Sequence, residues 1–140
     1  MADYIIYTDG GSRGNPGKAA FGVVIKSANS EFHKSYGEYM GIATNNEAEY
    51  SGVISGLHML KNLLGGEAKH KEVEVRADSE LLVRQMNGIY KVRNPRISKL
   101  FMEVWNAKSQ FKTVVFTHVR RAQNKEADAM VNKVLDEQEK

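Results

Sequence analysis

Apolar and polar positions follow two different periods along this chain, and the switches between them divide it into strands and helices. Tyr4-Ile5-Ile6-Tyr7 is an aromatic and β-branched run that ends at Asp9-Gly10-Gly11. It predicts a central strand, buried on both faces and stopped by the glycines, with Asp9 at its C-terminal edge. Two further strands are predicted near residues 19–27 and 31–40, joined through Ala28-Asn29-Ser30 in an antiparallel meander. Val53, Ile54, Leu57, Leu60 and Leu64 recur at helical spacing, so a helix is expected over 46–64, ended by Gly65-Gly66.

The second half alternates. Val73, Val75 and Ala77 interleave with Glu74 and Arg76 as a strand that stops at Asp78, and Leu81, Leu82, Gln85 and Met86 fit a short helix closed by Gly88. Asn94 as cap, Pro95 at the first position and the stripe Ile97, Leu100, Phe101, Val104, Trp105 predict another helix. A strand over 114–119 follows. A last helix from about Gln123 is expected to bury Ala127, Met130, Val131, Val134 and Leu135. A strand meander followed by helix–strand alternation predicts an α/β fold, a mixed sheet with helices on its faces.

Composition narrows the possibilities. With 140 residues, 41% of them hydrophobic, one domain over 1–140 with a single core is expected, without a separate binding module. No apolar run approaches the roughly 20 residues that span a bilayer, and Met1-Ala2-Asp3 does not open a basic and apolar leader, so a cytoplasmic protein without membrane contact is expected. The absence of cysteine excludes disulfides, a thiol nucleophile and thiolate zinc sites. Net charge is only +3, but from Arg84 to Lys125 ten basic residues face a single acid, Glu103. The group Lys91, Arg93, Arg96, Lys99 has no interleaved acid, which points to a polyanionic partner such as nucleic acid.

Against that basic segment, four acids stand out by position. Asp9 and Asp78 each end a predicted strand, and if those strands are parallel neighbours both carboxylates meet at one sheet edge. Glu49 shares the core-facing stripe of its helix with Val53 and Leu57, whereas Glu47 is expected to point away. Asp128 shares a face with Val131 and Leu135 in the first turn of the last helix. Each has a structural explanation by itself: a turn at Asp9, a helix cap at Asp78, helix-dipole complements at Glu49 and Asp128. Together, four oxygen donors without a histidine pair suit a hard cation, magnesium or manganese.

Four blocks then resemble the type 1 ribonuclease H family in order: Tyr7-Thr8-Asp9-Gly10-Gly11-Ser12 with Gly14-Asn15-Pro16-Gly17, Thr44-Asn45-Asn46-Glu47-Ala48-Glu49, Ala77-Asp78-Ser79, and Asn124-Lys125-Glu126-Ala127-Asp128. The resemblance implies the RNase H-like fold, a five-stranded mixed sheet in element order βββαβααβα whose first three strands are antiparallel. It implies that Asp9, Glu49, Asp78 and Asp128 are catalytic and bind two magnesium ions (manganese as the alternative), with Asp9 bridging. It further implies an endonuclease that cuts the RNA strand of RNA/DNA hybrids, leaving 5′-phosphate and 3′-hydroxyl ends. Gly10, Gly11 and Asn15 are then expected at the RNA backbone, Asn45 and Asn46 in the minor groove near the 2′-hydroxyls, and Thr44 and Asn94 at a DNA phosphate, although Asn94 also reads as a helix cap.

The chain also departs from the family pattern. The segment between Met86 and Ile97 is too short for the basic protruding handle of some members, and Ile42 stands where some relatives carry an arginine for the DNA phosphate. His118 is at a plausible distance from Asp128 for the mobile loop histidine of many members, yet it reads as the end of a strand. His118, Arg120, Arg121 and Asn124 are therefore auxiliary candidates, with Arg120 or Arg121 as alternatives at the scissile phosphate. A monomer is expected. Competing readings are a binding module that kept the fold without catalysis, and a nuclease or phosphatase of the same fold preferring double-stranded RNA or a small phosphoester.

Overall fold

A computed structural model describes residues 1–139. Its five strands are β1 (Tyr4–Arg13), β2 (Gly17–Ser27), β3 (His33–Ala43), β4 (Glu72–Ala77) and β5 (Thr113–His118), and its helices are α1 (Asn45–Leu64), α2 (Glu80–Met86), α3 (Pro95–Lys108) and α4 (Lys125–Gln138). The sheet order is β3-β2-β1-β4-β5. β1, β2 and β3 form the expected antiparallel meander, while β4 lies parallel to β1 and β5 parallel to β4. The predicted fold class and element order both hold.

Two layers cover the sheet. Side chains alternate along β1, so Ile6 and Gly10 face α1 and Gly11 faces Val131 of α4. On the α1 side, Ile6, Val23, Ile25, Val53, Leu57, Leu60, Val73 and Val75 are buried in one cluster that also takes in Ile97 and Val104 of α3. Each such aliphatic side chain contributes about 1.5–3 kcal/mol by leaving water. On the other face Ala20, Val131 and Leu135 form a smaller cluster under α4. Gly22 makes that approach possible: a Cβ there would lie 2.2 Å from the Ala127 carbonyl oxygen, so α4 rests on bare backbone.

Several expectations are corrected. β1 does not stop at the glycines but continues to Arg13, because β2 supplies antiparallel partners as far as Arg13↔Lys18. Nor is it buried on both faces: Ile6 and Thr8 are buried, Tyr7 only partly, beneath Lys26 and Arg76, whose charged groups lie 5.3 and 5.4 Å from its ring centre. β3 begins and ends later than predicted, at His33 and Ala43, and α4 starts at Lys125 after a 3-10 turn over Arg121–Gln123. A second 3-10 segment, Gly65–His70, follows α1. Trp105, placed in the buried stripe of α3, is 48% exposed, stacked on Phe101 with the Lys108 ammonium 4.5 Å from its ring centre.

Candidate active site

Parallel pairing of β1 with β4 ends at Thr8↔Ala77, so the next residue of each strand is an acid: Asp9 and Asp78 stand side by side where the shared ladder stops. Asp9 thus owes its place to the end of β4 rather than to the end of its own strand. The Asp78 side chain is only 12% exposed, and the Arg121 guanidinium, itself 87% exposed, reaches to 3.9 Å from it. Ser79, not Asp78, caps α2, accepting the Leu82 amide at 3.2 Å.

Glu49 comes from the opposite layer. Thr44 caps α1, with its hydroxyl accepting the Glu47 amide at 3.1 Å and the Glu47 carboxylate accepting the Thr44 amide at 3.0 Å. This capping box turns Glu47 back onto the helix start, a use that its placement on the outward face did not anticipate. One turn on, α1 presses so closely on β1 that a Cβ at Gly10 would lie 2.4 Å from the Ala48 carbonyl carbon and the Glu49 amide. Only glycine fits there, and that contact carries Glu49 up to Asp9.

Asp128 arrives on α4. The buried Asn124 donates its side-chain amide to the Thr8 carbonyl at 2.8 Å, its own carbonyl accepts the Asp128 amide at 3.1 Å, and Asn132 donates to the Asp128 carboxylate at 3.4 Å. The four carboxyls line one groove together with Gly10, Gly11, Asn45, His118, Arg120 and Arg121.

Crowding shows in their protonation. Burial, then the charge of Asp78, then a hydrogen bond shared with Asp128 push the Asp9 carboxyl from 3.8 up to about 8, against a small opposing pull from the Gly10 amide that it accepts at 2.9 Å. Glu49 is raised to about 6, chiefly by burial, with the Ser79 hydrogen bond opposing and Asp78 reinforcing. Acids that resist ionising beside one another are stabilised by a cation among them. The donor set, oxygen only, fits a hard divalent ion. Among the described residues no three His, Asp or Glu side chains are already drawn in to the spacing of a single ion's coordination shell.

Comparison with known proteins settles the family. A family profile described as reverse transcriptase-like matches residues 7–134. The ribonuclease HI of Halobacterium salinarum is 35% identical over 131 residues, 94% of this chain and 63% of that protein. The crystal structure of LC11-RNase H1 in complex with RNA/DNA hybrid superposes with a TM-score of 0.88 at 42% identity, covering 98% of this chain and 99% of that one. The chain belongs to the type 1 ribonuclease H family. Membership places the domain in the ribonuclease H class of enzymes. It is also 41% identical to the bifunctional protein Rv2228c of Mycobacterium tuberculosis over 94% of this chain, and spans only 35% of the length of that relative.

The remaining ribonuclease H positions fall into two neighbouring grooves. A second groove runs beside the acids between the starts of α1 and α3, lined by Asn15, Thr44, Asn46, Asn94, Pro95 and Arg96, and it shares Asn45 and Glu49 with the first. Asn45 is a hub: its side-chain oxygen accepts the Ser12 amide at 2.7 Å and hydroxyl at 3.1 Å, while its own amide donates to Asn15 at 3.1 Å. That bonding fixes the turn after β1 against α1 and leaves the Asn45 side-chain NH₂ free of these bonds. Asn94 caps α3, accepting the Arg96 and Ile97 amides at 2.8 and 3.3 Å, as the cap reading expected. Ile42 is 70% exposed. Only residues 87–94 separate α2 from α3, too few for a handle. His118 ends β5, exposed, on the acid groove.

Sequence reasoning did not single out Ser12, Ser79 or Asn132 as parts of these grooves, and it took Arg96 as one of a basic group facing a polyanion without placing it beside Thr44 and Asn94. For Asn132 the signal existed, four residues after Asp128 on the same helical face. For Ser12 and Ser79 it did not, since their partners are distant in sequence or settled only by the strand ends.

Proposed function

We propose that the chain is a metal-dependent endonuclease that cleaves the RNA strand of RNA/DNA hybrids. The observation that carries the reading is the gathering of four carboxyls in one groove beside a second groove lined by Thr44, Asn46, Asn94 and Arg96, with Asn45 and Glu49 common to both. The two strands of a hybrid would lie one over each groove. The similarity to LC11-RNase H1, whose structure contains RNA/DNA hybrid, supports the same substrate.

Asp9, Glu49, Asp78 and Asp128 would hold two magnesium or manganese ions. Bound there, the ions supply an activated water and charge stabilisation for the leaving 3′ oxygen, so that products carry 5′-phosphate and 3′-hydroxyl ends. The chain's own groups do the rest. Asp9, beside Asp78 at the end of the β1–β4 ladder and next to the start of α1, would be the carboxyl shared between the ions. Gly10 and Gly11 leave backbone open to an RNA strand, and the Asn45 NH₂ faces an acceptor in the minor groove, where the 2′-hydroxyl marks RNA. At the second groove the backbone N–H groups of the α1 and α3 starts are largely taken by their caps, so Thr44 and Asn94 would meet a DNA phosphate through their side chains, and Arg96 adds a cation that Ile42 does not supply. Arg120 and Arg121 stand ready to meet phosphate beside the acids.

The test offers labelled hybrid, double-stranded RNA and double-stranded DNA to the protein in magnesium and in manganese, beside Asp9→Asn and Asp128→Asn variants. Cleavage confined to the RNA of the hybrid and lost in both variants is expected. Equal cleavage by Asp9→Asn sinks the site, and preference for double-stranded RNA or DNA sinks the substrate.

A further inference from the structure

Asn124 is 1% exposed, and its side-chain oxygen has no hydrogen-bond partner among the described residues. A polar side chain buried with one end unsatisfied destabilises a fold by about 1–3 kcal/mol. The amide is therefore explained by what its other end does. That end donates to the Thr8 carbonyl at 2.8 Å, the residue before Asp9 and the last with a β4 partner. Through its backbone, Asn124 also accepts the Asp128 amide at 3.1 Å. One residue thus ties the strand that carries Asp9 to the helix that carries Asp128, across a separation of more than a hundred residues in sequence.

We propose that Asn124 is a positioning residue of the acid groove: its hydrogen bond to Thr8 sets the spacing of Asp9 and Asp128, and with it the affinity for divalent cations. This rests on the reading of the groove as a cation site. Partners that orient ligands without touching the ion typically change metal affinity by about 10- to 100-fold when lost. Two features of the structure make the effect specific. The bond falls just where the β1–β4 ladder ends, so no parallel ladder partner continues beside Asp9. The α4 start has no side-chain cap of its own, because the Asn124 side chain is turned to Thr8 instead of to the first helical amides.

The experiment measures Mn²⁺ binding by calorimetry, at a temperature well below unfolding, for the intact protein, Asn124→Leu, Asn124→Ala and Asp9→Asn, with thermal midpoints recorded in chelator. Asn124→Leu keeps the volume and removes the orphaned oxygen. It also leaves the Thr8 carbonyl without its side-chain donor, so it is expected to melt somewhat below the unchanged protein and to bind Mn²⁺ at least tenfold more weakly. Hybrid cleavage at saturating substrate should fall while KM stays the same. Should Asn124→Leu not fold, Asn124→Ala carries the same comparison. Unchanged Mn²⁺ affinity with a lowered melting point overturns the proposal and makes Asn124 a packing residue. If Asp9→Asn binds Mn²⁺ as tightly as the unchanged protein, the cation-site reading itself fails, and Asn124 falls with it.

Discussion

Replacing Asp9 with asparagine is expected to stabilise the metal-free protein at neutral pH while abolishing cleavage. In the folded chain burial and the neighbouring Asp78 and Asp128 raise its carboxyl from 3.8 to about 8. A raised acid pKa means that the folded state holds the proton more tightly than the unfolded state between those two values. Stability is therefore full below about pH 4, falls as pH rises, and reaches its lowest level above about pH 8. Each unit in that window is worth about 1.4 kcal/mol, so at pH 7 the ceiling of the penalty is about 4 kcal/mol. Asparagine cannot ionise, and its side-chain oxygen can still accept the Gly10 amide, so the substitution removes the penalty without orphaning a donor. If half the ceiling is realised, about 2 kcal/mol, the melting temperature of a domain this size rises by roughly 4–8 °C.

Scanning calorimetry in chelator at pH 4.5, 7 and 8.5 reads this directly. The gap between the two proteins should widen with pH, then narrow when magnesium is added at pH 7, because ions that bind only the folded unchanged protein stabilise it by mass action. An asparagine variant that melts at or below the unchanged protein at pH 8.5, or a gap that shrinks as pH rises, refutes the reasoning.

Protons compete with cations for the same carboxyls, so Mn²⁺ affinity should weaken as pH is lowered from 8 towards 6, through the values held by Asp9 and Glu49; a pH series of calorimetric titrations checks it. Gly10→Ala forces a Cβ to within 2.4 Å of the α1 backbone, and chemical denaturation should show a loss of about 3 kcal/mol or more, with cleavage falling further because Glu49 is pushed from Asp9. Asn94→Ala removes the α3 cap and should lower stability by about 1 kcal/mol while raising KM for hybrid. Arg121→Ala removes a highly exposed guanidinium 3.9 Å from Asp78 and should leave denaturant stability unchanged within about 0.5 kcal/mol, with any fall in cleavage steepest at low salt.

The hydrophobic pattern alone determined the number, type and order of the elements, because periods of two and of 3.6 residues are local properties of the chain. Local chemistry also determined the caps: Asn94 before Pro95, and Thr44 three residues before Glu47, act within one helical turn and are legible as motifs. The four acids could be singled out because each sits at the end or on the inner face of an element. Other facts waited for the tertiary structure, since they depend on which elements become neighbours. The central place of β1, between antiparallel β2 and parallel β4, makes Asp9 and Asp78 adjacent and carries β1 on past its glycines. The close approach of α1 to Gly10 brings in Glu49, and the bond from Asn124 to Thr8 brings in Asp128. Sequence names the carboxyls, but the repulsion between them arises only when four distant segments are folded into one groove.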